Sequence, residues 1–260
     1  MSARSYLYVP GNRPDRFDKA LASGADAIIL DLEDAVPHSA KDEARDAVAA
    51  WLQTEPVGEI WVRINSGDLL EADAKAMIDA GIRRLSIPKA SVVDIERVED
   101  VEVIALIETA AGVLDAREIA ALPGVVRLAI GEVDLSAELN VTDEHALMPM
   151  RGLVILASAA AGLEPPIGPV SRDFKDMDEL RESTLSLKSR GFGARAAIHP
   201  AQVPIINEAF MPSAEEIATA RRLLDALEAA GGGVCLDENG RMVDEAVVRA
   251  ARRTLSLKRD

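Results

Sequence analysis

The strongest constraint on this chain is an alternation. Eight short apolar runs, residues 5–9, 27–32, 60–64, 84–87, 102–107, 126–130, 166–170 and 195–198, are separated by longer stretches of helical period. Short runs rich in Val, Ile and Leu are the signature of strands buried on both faces, as in a parallel sheet. The stretches at 15–22, 41–52, 71–80, 92–98, 147–161 and 177–190 read as helices, several of them introduced by Asp, Ser or Pro. Parallel strands need crossovers of this kind, so the order of elements implies an α/β protein. Eight βα units predict a (β/α)8 TIM barrel. An open doubly wound sheet is the alternative, because periodicity does not show closure and the seventh run is the weakest. No G-x-G-x-x-G follows the first run, so the dinucleotide-binding signature is missing.

After the eighth run come a helix at 214–230, Gly231-Gly232-Gly233, a short segment at 234–241 with an Asn-Gly turn, and a last helix at 245–257. This divides the chain into a barrel domain over residues 1–230 and a C-terminal helical extension over 231–260. The triple glycine reads as a hinge. The extension is expected to pack on its own barrel or on a neighbouring subunit.

Composition narrows the function classes. A chain of 260 residues that is 48% hydrophobic can bury a full core, which argues against disorder. Its formal charge of −15, from 44 acidic and 29 basic residues, repels nucleic acid and anionic lipid alike. The single cysteine, Cys235, allows neither an internal disulfide nor a Cys-rich zinc site. No apolar run is long enough to cross a membrane. A cytoplasmic protein is expected, with no nucleic-acid or membrane partner.

Barrel enzymes build their sites from residues at the C-terminal ends of strands. Polar side chains gather at those positions here: Asp31, Glu33 and Asp34 after the second run, Arg63 and Asn65 at the third, Lys89 after the fourth, Glu108 after the fifth, Glu132 and Asp134 after the sixth, and His199 after the eighth. Glu108 and Asp134, on adjacent strands, are the candidate metal ligands, and hard oxygen donors select Mg²⁺ or Mn²⁺ over zinc. The bland reading makes each a helix cap, at Thr109 and Leu135. Arg63 sits in an apolar stretch, where its planar fork suits a carboxylate or an enolate oxygen, or else pairs with an interior carboxylate. Arg13, Arg16 and Lys19 recur every three residues on a first helix and form a candidate phosphate patch, with a solvated face as the alternative. His199 reads as a buried, hydrogen-bonded histidine more readily than as a chemical group, and His38 and His145 read as loop residues.

Taken in order, these blocks resemble the HpcH/HpaI aldolase and citrate lyase β-subunit superfamily, in particular its CitE-like branch. The resemblance runs through nearly the whole chain. It is carried by Arg4-Ser5-Tyr6-Leu7-Tyr8-Val9-Pro10-Gly11-Asn12-Arg13-Pro14, Ile29-Leu30-Asp31-Leu32-Glu33-Asp34, Val62-Arg63-Ile64-Asn65, Ile87-Pro88-Lys89, Ala105-Leu106-Ile107-Glu108-Thr109-Ala110, Gly131-Glu132-Val133-Asp134-Leu135, Ile198-His199-Pro200-Ala201-Gln202 and Met242-Val243-Asp244. It implies a TIM barrel assembled as a homotrimer or hexamer. The implied reaction is Mg²⁺-dependent carbon–carbon cleavage, or the reverse condensation, of a 3-hydroxy-3-carboxyacyl-CoA such as citryl-, malyl- or citramalyl-CoA. It makes Glu108 and Asp134 the metal ligands and Arg63 the residue holding substrate oxygens. By their own placement Arg13, Arg16, Lys19 and Lys89 are the candidates to bind substrate or coenzyme A, and the resemblance makes Asp244 an aspartate that reaches a neighbouring subunit's site.

The chain departs from the pattern in three places. Ala111 stands where the family carries arginine, Glu132 is displaced by one position, and Ala246 replaces a proline. Two alternatives follow: a class II-type aldolase on free 2-oxo acids, and a non-catalytic metabolite-binding subunit.

Overall fold

In a computed structural model, residues 2–229, 234–236 and 240–257 are described. The eight apolar runs become strands β1 (Ser5–Pro10), β2 (Ala27–Asp31), β3 (Ile60–Arg63), β4 (Arg84–Ile87), β5 (Glu102–Ile107), β6 (Val125–Ile130), β7 (Glu164–Gly168) and β8 (Ala194–Ala197). They pair in parallel in sequence order and close. Closure is made by β8 returning to β1, with Ser5, Tyr6 and Leu7 opposite Arg195, Ala196 and Ala197. This removes the open-sheet alternative. The seventh run is displaced by two residues from the expected 166–170. Pro165 and Pro166 fall inside β7, and their missing N–H groups make it the most irregular partner in the barrel.

The helices are α1 (Phe17–Leu21), α2 (Lys41–Leu52), α3 (Leu70–Asp79), α4 (Val92–Glu96), α5 (Ala110–Leu114), α6 (Ala116–Ala120), α7 (Glu132–Leu139), α8 (Met148–Ala160), α9 (Met177–Arg190), α10 (Val203–Phe210), α11 (Ala214–Ala229) and α12 (Glu245–Ser256). The first helix is shorter than expected because Pro14–Arg16 form a 3-10 turn ahead of it. The helices α5, α6, α7 and α10 have five to eight residues, too few for a periodic signal.

Each longer helix buries one stripe. In α2 it is Ala44, Val48 and Leu52, and in α3 it is Leu70, Ala74 and Met77. The α3 stripe also contains Asp73, fully buried. Its carboxylate accepts from the backbone N–H and side-chain amide of Asn65, at 2.9 and 2.7 Å, and from Arg45 of α2. One carboxylate thereby ties α2, α3 and the segment leaving β3, which carries Arg63 at its end.

The chain divides into two compact units, Ser2–Asn207 and the stretch from Glu208 onward. The boundary expected after residue 230 lies inside the second unit, because α11 packs against α12. In the same unit β9 (Cys235–Leu236) pairs antiparallel with β10 (Met242–Val243). The triple glycine lies outside the described residues. No helix among the described residues is long and apolar enough to cross a membrane.

Removing Asp73 leaves the buried Asn65 donors and the Nε of the half-buried Arg45 without their acceptor. Asp73→Ala is expected to lower unfolding free energy by about 3 kcal/mol in urea titration, and a loss below about 1 kcal/mol would show that water replaces the carboxylate.

Candidate active site

The C-terminal mouth of the barrel opens into a cavity of about 390 Å³. Strand residues alternate inward and outward, so Asp31, Arg63 and Glu108 point the same way at the ends of their strands. Arg63 and Asp31 form a two-point fork, Nε to Oδ1 at 2.7 Å and Nη2 to Oδ2 at 2.6 Å, with both side chains buried. The third nitrogen, Nη1, lies 3.0 Å from Glu33 and 3.6 Å from Asp34. The guanidinium also sits over the Tyr8 ring, 4.9 Å from its centre. Burial works against the charge on Arg63, but the hydrogen bonds to Asp31 together with the charges of Tyr8, Asp31 and Glu33 outweigh it and hold the pKa above the ordinary arginine value. Burial likewise pushes the Tyr8 phenol up.

Lys89 links the acids. Its backbone adopts the left-handed region at φ 47°, which costs a non-glycine residue about 1–3 kcal/mol. In that conformation its N–H donates to Glu108 Oε1 at 2.9 Å and its ammonium donates to Glu33 Oε1 at 2.5 Å. Burial lowers the ammonium pKa, but the bond to Glu33 and the charges of Glu33 and Glu108 more than reverse this. Lys89 therefore stays protonated, which argues against a Schiff-base role. Burial raises Glu33 despite Arg63 and Lys89.

Glu108 is buried at the end of β5, and its carboxyl pKa is pushed up to about 7, first by burial and then by the Glu33 charge. It does not cap the next helix, since Thr109 does so by accepting from Gly112. Gly131 makes room for it: a Cβ there would lie 2.5 Å from Glu108 Oε2 and 2.6 Å from its Cβ. Asp134 stands in the first turn of α7 and lines the same cavity, and it is not the cap, because that helix starts at Glu132, earlier than the start expected near Leu135. Glu132 lines the cavity too, but Arg151 of α8 takes both its oxygens, so this pair cancels in charge.

At the mouth the five carboxylates Asp31, Glu33, Asp34, Glu108 and Asp134 are met among the described residues by three cations, Arg63, Lys89 and, from behind Glu33, Lys41. Such an excess calls for a cation. Among the described residues no group of three or more His, Cys, Asp or Glu side chains could hold a metal alone. Two carboxylates are what Mg²⁺ uses, since it keeps several waters and completes its shell with substrate oxygens. Glu108 and Asp134 fit that ion.

The remaining sequence candidates lie elsewhere. Arg13, Arg16 and Lys19 are exposed, not on one helix face but on a 3-10 turn and α1, and Arg13 is held by Asp15 at 2.8 Å. None of the three lines the cavity. His199 is exposed rather than buried. Its Nδ1 accepts from Ala201 N and its ring stacks on Phe174, 5.0 Å between centres. In the second unit, Asp244 Oδ1 accepts from Ala246 N and Val247 N, capping α12. Reading the sequence missed Tyr8 and Gly131, although Tyr8 sits at the inward period of β1. It also missed Arg151, which no local pattern flags because its partner is 19 residues away.

The HpcH/HpaI aldolase/citrate lyase family model matches residues 4–200. The chain belongs to this family. Among its relatives is a (3S)-malyl-CoA thioesterase of Cereibacter sphaeroides, 39% identical over 97% of this chain and 93% of the relative. The citrate lyase subunit beta of Leuconostoc mesenteroides subsp. cremoris is 33% identical over 98% and 92%. The structure of CitE from Mycobacterium tuberculosis, solved in complex with magnesium, acetoacetate and coenzyme A, superposes with a TM-score of 0.86. It is 33% identical and covers 98% of both chains.

The raised Glu108 carboxyl predicts a pH dependence of stability. Its folded pKa, about 7, exceeds the ordinary 4.5, so its contribution is complete below pH 4.5 and is lost as pH rises through 7. Glu108→Gln is therefore expected to gain on the parent between those values, by up to about 3 kcal/mol above pH 7, in urea unfolding with chelator present. Parallel curves for the two proteins from pH 5 to 8 would contradict the assignment.

Proposed function

We propose that this chain is a Mg²⁺-dependent carbon–carbon lyase, or in reverse a condensing enzyme, acting on a 3-hydroxy-3-carboxyacyl-CoA such as citryl-, malyl- or citramalyl-CoA. The observation that carries the reading is the mouth of the barrel, where a rigidly held guanidinium and a surplus of carboxylates line one cavity. The family relatives and the CitE complex with magnesium and coenzyme A support it.

Glu108 and Asp134 would hold the Mg²⁺, which supplies Lewis-acid polarisation of the substrate's carboxylate and hydroxyl oxygens. Arg63, fixed by Asp31, turns the donors left over from that fork toward the substrate. Fixed donors stabilise developing charge without reorganising, so Arg63 steadies the oxygen that becomes an enolate. In cleavage, the bond between C2 and C3 of the acyl chain breaks and its electron pair stays on C2. The 3-hydroxyl gives up its proton to a base, C3 becomes the carbonyl carbon of a 2-oxo acid, and C2 of the thioester is then protonated. In this reading Asp244 of a neighbouring copy in a trimer or hexamer exchanges the C2 proton, and Lys89 with Arg13, Arg16 and Lys19 meets the acid and the coenzyme A phosphates. The enzyme would work in the cytoplasm.

The malyl-CoA thioesterase relatives favour a second reading, in which water attacks the thioester carbonyl and free coenzyme A leaves. The two are separated by products: acetyl-CoA with a 2-oxo acid in the first, free thiol with a hydroxy acid in the second.

Assayed over citryl-, malyl- and citramalyl-CoA, the enzyme is expected to release acetyl-CoA only with Mg²⁺ present, and to lose this with Glu108→Ala. Thiol release without acetyl-CoA would replace the lyase by the thioesterase. Mg²⁺ binding without either product would leave a free 2-oxo acid aldolase or a binding subunit.

Arg63→Lys keeps the charge but not the fork. A fall in kcat/KM of at least about 100-fold, some 3 kcal/mol of transition-state stabilisation, is expected while the protein stays folded. Parent-like turnover would remove Arg63 from the mechanism.

A further inference from the structure

The cavity does not end at the charged mouth. Two residues deeper along β2, β5 and β6, on the same inward face, the polar ends give way to apolar side chains: Ile29 beneath Asp31, Leu106 and Ile104 beneath Glu108, and Ala129 beneath Gly131, with Ile167 and Ala196 completing the wall. This is the interior of the barrel, which a (β/α)8 fold ordinarily fills with layers of bulky branched side chains. Here β6 and β8 place alanine at that level. Surface inside the barrel stays accessible along one side, 6% for Ala129, 8% for Ala196 and 5% for Leu106, whereas Ile29 and Ile104 keep 1%. Below, the barrel is stopped from its N-terminal end. Arg127 donates to the Tyr6 hydroxyl at 3.0 Å and to the Ala3 carbonyl at 2.9 Å, and lies over the Tyr6 ring. The result is a socket walled mainly by hydrocarbon, with Tyr8 beside Ile29 at its upper edge, stopped at the bottom by Arg127 and Tyr6 and continuous at the top with the carboxylates and Arg63.

A substrate held by its polar end at the mouth has one direction walled mainly by hydrocarbon, down the barrel axis as far as Tyr6 and Arg127. A carboxylate placed against that wall would lose water without gaining a cation beside it, whereas a hydrocarbon chain gains by leaving water. Resting on the lyase reading above, we propose that the socket is an alkyl pocket. The acid moiety of the substrate is then a 2-oxo acid whose side chain is a hydrocarbon longer than methyl, directed between Ala129 and Ala196. In the condensed thioester this chain is the third substituent on the carbon bearing the hydroxyl and the carboxylate. Ala129 and Ala196 are the residues that set its length.

Calorimetric titration of the full-length protein with Mg²⁺ tests this without requiring turnover. The probes are glyoxylate, pyruvate and the unbranched 2-oxo acids with ethyl, propyl and butyl side chains. Affinity is expected to rise about fourfold per methylene, the free energy of burying that group, until the socket is full. Ala196→Leu and Ala129→Leu fill the socket, and each is expected to cost the longest acid at least about tenfold relative to glyoxylate, a loss of the area those methylenes bury. If either leucine variant fails to fold, Ala196→Val takes its place, with a smaller shift in the same ratio. Affinity that is flat or falls beyond pyruvate in the parent, or a chain-length preference untouched by these variants, overturns the alkyl pocket and leaves the lyase reading standing. Failure of every 2-oxo acid to bind with Mg²⁺ removes the lyase reading and the pocket together.

Discussion

The buried fork between Arg63 and Asp31 is the interaction on which the mouth of this barrel depends. Two charges taken out of water are tolerated only when their geometry is nearly ideal and their remaining bonding capacity is met. Here the fork supplies two short hydrogen bonds, Glu33 approaches the third nitrogen, and Tyr8 offers the face of its ring. Glu33 in turn accepts from Lys89, and the backbone of Lys89 donates to Glu108. Four strands are thereby linked through one chain of charge. The strain at Lys89 and the close approach at Gly131 both serve to hold the Glu108 carboxylate in place.

That chain carries too much negative charge to stand alone. Its cations are committed, and the raised Glu108 carboxyl is the physical signature of a buried acid facing other acids. In the proposed reading, a divalent ion held by Glu108 and Asp134 would relieve the repulsion and would supply a Lewis acid to the same cavity that Arg63 lines. Charge at the rim and hydrocarbon beneath it give the cavity a polar end and an apolar end. The period-two alternation of the strands produces both, since the residue two positions before each acid must point inward as well.

Much of this was legible in the sequence. The strands β1 to β6 announce themselves by aliphatic runs, and Asp31, Arg63, Lys89, Glu108 and Asp134 stand at or just after the ends of their strands, where a barrel places its chemistry. What failed to show had identifiable causes. Two prolines hide β7, and helices of one or two turns such as α5 leave no period. The cationic face expected of Arg13, Arg16 and Lys19 dissolved because Pro14 starts a 3-10 turn and Asp15 captures Arg13. His199 is exposed because its ring caps a turn at the barrel rim, a role that the His-Pro pair alone does not disclose.

By itself, then, the sequence determined the parallel α/β alternation, the number of units and the set of charged residues at the mouth, because these follow from periods of two and 3.6 and from positions along single strands. Only the tertiary structure decided that the sheet closes through β8 and β1, that Arg63 is forked to Asp31 and Glu132 to Arg151, and that alanines on β6 and β8 leave a socket beneath the acids. Each of these joins residues far apart in the chain, where closure, charge pairing and empty volume are set by packing between strands and not by any local pattern.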